Sequence, residues 1–303
     1  MYEKILVPLD GSEIAEVALP YAEELAGRLG SEITLISVSH SAEEQDQQMF
    51  QSYIQKTVES MRERAERYLE KPSERIIKVD STILVGNPAE EIVDYADSGN
   101  IDLIVMATHG HSGIRRWALG SVADKVLRAT GRPVVLVRAQ NAHPYMHKKD
   151  ILSKMLVPLD GSKEGETVVP YIEELVSKLG GEIIFFQVLA LAYHVHISGD
   201  AAVQVPYTEK EMEPLKMSAQ SYLKKMGSKL RERGSTVKYE VRVGAAGHEI
   251  IKLADEINAD LVAMSTHGRS GIGLWVFGSV AERVVRSGNT PVLLVRLPGA
   301  SIE

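Results

Sequence analysis

The sequence predicts an α/β fold that occurs twice, as two tandem doubly wound open parallel sheets with helices on both faces. Segments with strand patterns alternate with segments of helical periodicity along the whole chain, which is typical of βα units. The strand segments are nearly continuous apolar runs, as expected where helices cover both faces of a parallel sheet. Two motifs also recur: VPLDGS begins at Val7 and at Val157, and THGHSGIRRWALGS from Thr108 is echoed by THGRSGIGLWVFGS from Thr266.

The spacing of these motifs indicates duplication of a whole domain. The first motif recurs after 150 residues and the second after 158, far beyond the roughly 20–50 residues of a solenoid repeat. A length of 303 residues also fits two domains of about 100–200 residues each. We predict domains at 1–140 (copy one) and 154–303 (copy two), with a linker at 141–153. About eight extra residues lie between Val188 and Val243, most simply within Ala190 to Pro206.

In copy one, strand and helix patterns alternate from the first residues onward. The helical pattern after the first Asp-Gly-Ser ends before Gly30, which suits a helix C-cap. The charged stretch from Ala42 to Glu70 has the apolar spacing of an amphipathic helix. The predicted strands are Lys4–Leu9, Glu32–Val38, Lys78–Val85, Asp102–Met106 and Pro133–Val137, and the predicted helices are Glu13–Leu29, Ala42–Glu70, Glu90–Asp97 and Ser121–Ala129.

Copy two repeats this order, and its motifs fall at the same junctions between strands and helices. The predicted strands are Met155–Leu159, Glu182–Val188, Val237–Val243, Asp260–Met264 and Pro291–Val295. The predicted helices are Pro170–Leu179, Glu211–Arg233, Glu249–Glu256 and Ser279–Arg286.

Composition excludes several classes of protein. Hydrophobic residues at 44% and charged residues at 25% are ordinary for a globular protein, and no apolar run approaches the 18 or so residues of a membrane helix. The apolar run from Ile5 follows Met1 too closely for a secretory signal, so we expect a cytoplasmic protein. The absence of cysteine excludes disulfides, thiolate catalysis and Cys-ligated metals. A net charge of −7 argues against broad binding to nucleic acid or membranes.

Candidate binding residues follow the predicted strands. Ligands of open α/β sheets bind beyond the carboxyl ends of the strands, where helices begin and expose unpaired N–H groups. Asp10 and Asp160 follow the first strand of each copy, and Gly110 and Gly120 bracket a loop before Ser121. Glycine permits close approach of the backbone and positive φ, and a serine at a helix start adds a donor. The pattern indicates phosphate binding, although it is neither the Walker nor the dinucleotide motif.

The combination of motifs resembles the universal stress protein family over essentially the whole chain. The residues that carry the resemblance are VPLDGS, the stretch Val85-Gly86-Asn87-Pro88-Ala89, and His109-Gly110 nine residues before Gly120-Ser121. The resemblance implies one Rossmann-like domain of the adenine nucleotide alpha hydrolase type in each copy. In the ATP-binding branch of the family the late loop begins with a further glycine, where this chain has Ala107 and Ser265.

Carried over position by position, the resemblance implies an ATP pocket in each copy, with Mg²⁺ accompanying the nucleotide. In copy one it implies Pro8, Asp10 and the backbone of Val38 against the adenine and ribose, with the wall completed by Gly86, Met106, His109 and Gly110, and the phosphates at Gly120, Ser121 and Val122. In copy two the matching residues are Pro158, Asp160, Val188, Gly244, Met264, His267, Gly268, Gly278, Ser279 and Val280.

The resemblance is weaker in copy two. The middle stretch there reads Gly244-Ala245-Ala246-Gly247, and Gly273 and Leu274 replace the basic pair Arg115 and Arg116. Fewer cations near a triphosphate weaken binding, although Arg269 offers a replacement. We therefore expect copy one to hold the tighter site.

Each candidate also has a purely structural interpretation. Asp10 and Asp160 suit helix N-caps or turns. For His109 and His267 we favour ligand packing or backbone bonding over catalysis, and for Trp117 and Trp275 we favour packing. His194 and His196 have a spacing that suits a metal site on a strand, but without nearby Cys or carboxylates a surface loop is favoured.

Three functions stay open on the sequence. The leading one is a tandem, ATP-binding, non-enzymatic regulator of the stress response that is read by an unknown protein partner. The second is a slow ATPase or self-phosphorylating enzyme that uses the same pocket, and the third is an interaction protein that has lost nucleotide binding. Family members commonly pair through the last strand, so we predict that Pro133–Val137 and Pro291–Val295 pair within the chain as an internal pseudo-dimer, with homodimerisation optional.

Overall fold

The structure is a computed structural model that describes residues 1–41, 43–65, 77–109, 119–138, 152–191, 193–198, 201–268 and 278–296. Most of the predicted linker lies outside these ranges, as do Gly110, the tryptophans Trp117 and Trp275, and the residues that distinguish the two late loops (Arg115, Arg116, Arg269, Gly273 and Leu274).

The described part of copy one alternates strands and helices as predicted. Its elements are β1 (Lys4–Pro8), α1 (Leu19–Leu29), β2 (Glu32–Ser39), α2 (Glu44–Ala65), β3 (Val79–Val85), α3 (Pro88–Ser98), β4 (Leu103–Ala107), α4 (Ser121–Ala129) and β5 (Val134–Val137). A short 3₁₀ helix at Ala15–Ala18 precedes α1. Gly30 ends α1 in the left-handed conformation, and its N–H donates to the carbonyl of Ala26 at 2.8 Å, which confirms the predicted C-cap.

Copy two follows the same order with one additional hairpin. Its elements are β6 (Lys154–Pro158), α5 (Lys163–Glu166), α6 (Val169–Leu179), β7 (Glu182–Leu189), β8 (Tyr193–Ser198), β9 (Ala201–Pro206), α7 (Glu209–Met226), α8 (Ser228–Glu232), β10 (Thr236–Val243), α9 (Ala246–Glu256), β11 (Leu261–Ser265), α10 (Ser279–Ser287) and β12 (Val292–Val295). The helix predicted over Glu211–Arg233 is interrupted at Gly227. A side chain there would lie 2.6 Å from Tyr239 Oη and 2.9 Å from Val237 Cγ1, so the helix passes close over β10.

Ten of the twelve described strands form one sheet in the order β10-β7-β6-β11-β12-β5-β4-β1-β2-β3, and β8 and β9 form a separate two-stranded sheet. Within the ten-stranded sheet the pairing is parallel inside each copy, and β5 and β12 pair antiparallel, with Val135 opposite Leu293. This pairing confirms the internal pseudo-dimer. In each copy the chain order reverses beside the first strand, because β1 lies between β4 and β2 and β6 lies between β11 and β7. That reversal is where open α/β sheets bind ligands.

Helices cover both faces of the sheet, as the continuous apolar strands predict. Alternate residues of β1 point to opposite faces: Ile5 and Val7 join the core with α1 and α2, whereas Leu6 joins the core with α3 and α4. Both cores extend through both copies. The halves are therefore packed as one body along the β5–β12 pairing, which we call the seam.

Side chains from one copy also reach the other across the seam. Arg138 donates from Nη2 to the carbonyl of Val285 at the end of α10, at 2.6 Å. In return, Arg296 donates from Nη1 to the carbonyl of Arg128 at the end of α4, at 2.9 Å. A guanidinium from each copy thus satisfies a helix C-terminus of the other, where the last carbonyls lack helical partners and the helix dipole favours a cation.

The additional hairpin of copy two lies within Ala190–Pro206, as predicted, but the connection before the long helix is longer than the net difference of eight residues indicates. Tyr53 donates to Glu16 at 3.0 Å, and Tyr222 donates to Glu166 at 3.0 Å in the same way. Glu166 follows Glu16 by 150 residues but Tyr222 follows Tyr53 by 169. Copy two therefore has 19 more residues between this glutamate and tyrosine than copy one, and 11 fewer between the tyrosine and the glycine that follows the next strand (Gly86 or Gly244), which leaves the net difference of eight that the sequence showed.

Much of this longer connection in copy two forms the antiparallel hairpin β8–β9. The favoured surface-loop interpretation of His194 and His196 was wrong for the backbone, because both residues lie in β8. The sequence of this segment has β-branched residues at alternate positions, a pattern typical of strands that the loop interpretation did not consider. Among the described helices, none is long and apolar enough to cross a membrane.

Candidate functional site

A cavity opens at the carboxyl ends of the strands in each half of the described structure, beside the first strand. The copy-one cavity has a volume of about 710 Å³ and the copy-two cavity about 250 Å³. In copy one the ends of β1, β2 and β4 and the start of α4 line the cavity. In copy two the ends of β6, β7 and β11 and the start of α10 line it. The sheet topology thus places a ligand-sized space at the position that the chain reversal predicts.

The structure brings most of the residues implied by the resemblance to these two cavities. In copy one the lining includes Pro8, Asp10, Val38, Met106, His109, Gly120, Ser121 and Val122. In copy two it includes Pro158, Asp160, Val188, Met264, His267, Gly268, Gly278, Ser279 and Val280. Gly110 is outside the described residues.

Gly86 and Gly244 directly follow β3 and β10 and are not among the described residues that line the cavities. Their N–H groups donate to the carbonyls of Ser39 and Leu189 at 3.0 and 2.9 Å. A Cβ on Gly86 would meet the carboxylate of Glu91, and one on Gly244 would lie 3.1 Å from Glu249 Cγ. These glycines let the following helix pack closely on the strand end.

The Asp-Gly-Ser turn has the same hydrogen bonds in both copies. Asp10 Oδ1 accepts from Ser12 N at 3.1 Å and from Ser12 Oγ at 2.5 Å, and Ser12 Oγ accepts from Ala15 N at 3.2 Å. Gly11 has φ +82°, which glycine tolerates best. The serine hydroxyl therefore accepts a hydrogen bond from a backbone N–H at the start of the helical segment, and the aspartate orients the serine. The N-cap is thus the serine, whereas the sequence pattern alone suggested the aspartate.

In copy two the aspartate of the matching turn, Asp160, also lies close to two glycines, Gly165 and Gly268. Asp160 Oδ1 accepts from Ser162 N at 3.0 Å and from Ser162 Oγ at 2.5 Å. A Cβ on Gly165 would lie 2.5 Å from Asp160 Oδ1, and a Cβ on Gly268 would collide with Asp160 Oδ2. The carboxylate therefore spans from the first turn to the late loop. Ala15 stands at the position of Gly165 in copy one, so the two aspartates cannot be placed identically.

The start of the last helix is held against the end of the fourth strand. Gly120, with φ −60° and ψ 148°, is the N-cap of α4, and its N–H donates to the carbonyl of Thr108 at 2.8 Å. A Cβ there would lie 2.8 Å from that same carbonyl oxygen. Gly278 has the same relation to Thr266. Glycine is needed at this position for close packing of the chain on itself, not for a positive φ. The first N–H groups of α4 and α10 consequently lie at the cavity wall.

The histidines at the strand ends are fixed by their preceding threonines. Thr108 Oγ1 lies 3.1 Å from His109 Nδ1, and Thr266 Oγ1 lies 2.9 Å from His267 Nδ1. Within the described structure, His267 Nε2 is buried without a hydrogen-bond partner. In the same segment, Ser265 Oγ accepts from the N–H of His267 at 3.3 Å, so the serine hydroxyl serves the backbone.

The copy-one cavity also has a wall that sequence reasoning missed. Met49, Phe50 and Tyr53 of α2 line it, together with His40. The amphipathic pattern of α2 predicts a buried face but not which residues overhang the strand ends, since that depends on the length and path of the β2–α2 connection. Burial, and then Glu16, raises the pKa of Tyr53 well above the usual value for a phenol.

The described residues contain no group of three or more His, Cys, Asp or Glu that is arranged to hold a metal ion. Asp10 and Asp160 are the carboxylates among the described residues lining their cavities. A metal ion in either cavity would therefore take most of its oxygen ligands from a bound ligand or from water.

Fold and cavities define a tandem α/β protein whose two doubly wound halves each carry a ligand cleft at the chain reversal. The chain belongs to the universal stress protein family, whose model matches residues 1–138 and 152–296. Universal stress protein MJ0577 of Methanocaldococcus jannaschii is 31% identical over 159 residues, which cover 47% of this chain and 98% of that protein.

Solved structures share the fold. The structure of a universal stress protein from Archaeoglobus fulgidus covers 98% of this chain and 97% of its own, with 21% identity and a TM-score of 0.66. Another universal stress protein, solved in complex with cAMP, covers 46% of this chain and 98% of its own, with 23% identity and a TM-score of 0.35. The full-length match shows that the tandem arrangement recurs among solved folds.

Proposed function

We propose that each half of this protein binds an adenine nucleotide, ATP in the first place, in the cavity at its strand ends. The protein would act as a nucleotide-dependent regulator of the stress response, read by a protein partner, and not as an enzyme. The observation that supports this most strongly is the coincidence of a cavity, a fixed aspartate and a helix N-terminus at the chain reversal of both copies.

The phosphates would lie at the start of α4 and α10. Nine-residue helices with glycine N-caps present unpaired N–H groups there without a competing side-chain cap. The helix dipole favours negative charge at the same point. The hydroxyls of the exposed Ser121 and Ser279 add donors beside those amides.

The ribose would lie against the aspartate. Ser12 holds the Asp10 carboxylate through two hydrogen bonds, and an oriented carboxylate is a good acceptor for a hydroxyl of a sugar. Adenine would then contact the apolar wall that Val38 and Met106 contribute. Mg²⁺ fits as a companion of the phosphates, because Mg²⁺ in nucleotide sites is bound by one or two carboxylates together with phosphate oxygens and water.

We further propose that copy one binds the nucleotide more tightly. Its cavity of about 710 Å³ lies within the range of small-molecule sites, roughly 300–1,000 Å³, whereas the copy-two cavity of about 250 Å³ is below it. Phe186 occupies the position of Ile36 and lines the copy-two cavity, which accounts for part of the lost space.

A binding role is supported by the chemistry of the walls. The Asp10 carboxylate is committed to Ser12, and each histidine has Nδ1 anchored by threonine, so these groups are built to hold a ligand in place. ATP hydrolysis would need a positioned water and a base beside the γ-phosphate together with cationic stabilisation.

We also propose that the protein acts in the cytoplasm.

The test is the nucleotide content of the protein as purified, measured by native mass spectrometry, followed by titration with ATP, ADP, cAMP and GTP. We expect bound or bindable adenine nucleotide, weakened by Asp10→Ala and Asp160→Ala about 10-fold or more, as for loss of a charge-assisted hydrogen bond. Asp94→Ala and Asp255→Ala remove exposed carboxylates of α3 and α9 and serve as matched controls. Absence of binding at millimolar nucleotide in the wild type contradicts the proposal.

A further inference from the structure

The two cavities differ most where the long helix approaches the strand ends. In copy one, α2 contributes Met49, Phe50 and Tyr53 to the cavity wall, next to Gly11 and Ala15. We call these five residues the annex. In copy two, the described residues that line the cavity include none from α7.

Matching the two long helices shows how this difference arises. The tyrosine–glutamate hydrogen bonds place Tyr53 opposite Tyr222, so Phe50 corresponds to Ala219 and Met49 to Ser218. Ala219 is 5% exposed, whereas the larger Phe50 at the matching position lines the copy-one cavity, and Met49, which matches Ser218, is 62% exposed at its rim. Copy one therefore places two large apolar side chains at the helix positions where copy two has small ones.

The annex is apolar and uncharged. The Phe50 ring lies over the Asp-Gly-Ser turn, with Cε1 3.8 Å from the position of a Cβ on Gly11. The hydroxyl of Tyr53 donates a hydrogen bond to Glu16 at 3.0 Å, and a phenol is neutral at physiological pH. Among the described lining residues of this cavity, His40 is the one basic side chain besides His109. The annex offers no cationic side chain to a phosphate. An aromatic ring could contact the Phe50 ring and the Met49 thioether, both of which interact favourably with aromatic groups.

We propose that the annex is a subsite of copy one for an aromatic group, carried on the ribose side of a nucleotide or supplied by a separate small aromatic molecule. Its placement follows from the proposed function, because the annex adjoins the turn whose aspartate would meet the ribose. Copy two, with Ala219 and Ser218 in place of the large side chains, lacks the subsite. The two cavities of this protein would then differ in ligand preference, because only the copy-one cavity would accept the additional aromatic group.

The first arm of the test compares ATP with ATP that carries an N-methylanthraniloyl group on its ribose, by fluorescence titration of the full chain. We expect one class of sites to bind the aromatic derivative about 3- to 10-fold more tightly than ATP, in keeping with a single aromatic contact. Phe50→Ala and Met49→Ala should bring the ratio of the two affinities, derivative to unmodified ATP, back to about 1 in each variant. Met217→Ala, an exposed methionine of α7, is the matched control.

The second arm uses 2-naphthol with ATP-saturated protein, observed by ligand-detected NMR. Binding that is lost in Phe50→Ala identifies a separate aromatic molecule as the occupant, and binding of the derivative alone identifies an attached group. Equal affinities for ATP and its derivative, together with no effect of Phe50→Ala on naphthol, overturn the subsite. If ATP does not bind but naphthol binds in a Phe50-dependent way, the proposed nucleotide function fails and the subsite stands.

Discussion

The two halves of this chain share a sheet, a turn and a helix start, but they differ in the side chains that bound the cleft. Asp10 and Asp160 each hold a serine in the same way, and Gly120 and Gly278 each meet a threonine carbonyl. Near these shared groups the copies differ: copy one has Ala15 and Ile36 where copy two has Gly165 and Phe186. Duplication kept the groups that shape the backbone, whereas the side chains that set cavity volume diverged.

The largest effect is expected at the seam, which makes the two halves one body. Leu293 is fully buried and lies opposite Val135 in the β12–β5 pairing. Leu293→Ala should lower the free energy of unfolding by about 2–5 kcal/mol, as other buried leucine deletions do. Urea unfolding followed by circular dichroism measures it, with the exposed Leu215→Ala as control, expected within about 0.5 kcal/mol. Independent unfolding of an unaffected copy one would show that the seam does not couple the halves.

A smaller effect is expected where the halves differ beside the aspartate. Gly165→Ala places a Cβ 2.5 Å from Asp160 Oδ1, so the carboxylate must move. We expect a loss of about 1–3 kcal/mol in unfolding free energy, as for other overpacked sites, and weaker ligand binding in copy two. The reciprocal Ala15→Gly should cost about 1–2 kcal/mol for a different reason, because it adds chain entropy and removes the methyl group of a buried residue. Unchanged ligand binding in copy two of Gly165→Ala would contradict the difference between the turns.

The reciprocal arginine contacts test whether the seam is symmetric. Arg138→Met removes the 2.6 Å hydrogen bond to Val285 and should cost about 1–2 kcal/mol, since the carbonyl loses a charged partner. Arg296→Met removes two longer bonds, to the carbonyls of Arg128 and Thr130 at 2.9 and 3.4 Å, and should cost less because the shorter of the two is exposed to water. Thermal unfolding of the two variants and of the double variant gives the comparison. A larger cost for Arg296→Met would reverse the ranking.

The smallest effect appears only at alkaline pH. Burial, followed by Asp260 and Glu24, raises the pKa of Tyr21 to about 12, and burial, followed by Asp102, raises that of Tyr171, its counterpart in copy two. An unfolded phenol ionises near pH 10, so the folded protein holds these protons longer and its stability falls as the pH rises above 10. Tyr21→Phe should flatten this fall more than Tyr171→Phe in urea unfolding measured from pH 8 to 11. Identical profiles for wild type and Tyr21→Phe would contradict the assignment.

The fold was predictable because its signals are local and repeated. Apolar strand runs, the Gly30 cap and the doubled motifs predicted the alternation of elements in both halves, whereas the internal pairing was predicted from the resemblance to the family. The hairpin β8–β9, the break at Gly227 and the redistribution of extra residues were not predictable, since they depend on how each connection crosses the sheet. Most of the site residues came from the resemblance, whereas Phe50 and Phe186 entered the cavity walls through tertiary packing, which periodicity along one element does not contain.

Isothermal titration with ATP tests the inequality of the two clefts most directly. The wild type should show two sites of unequal affinity, Asp10→Ala should remove the tighter one, and Asp160→Ala should remove the weaker one. Phe186→Ile, which gives copy two the residue of copy one, should bring the two affinities closer together. Two equal sites in the wild type, or loss of the tighter site in Asp160→Ala, would contradict the account.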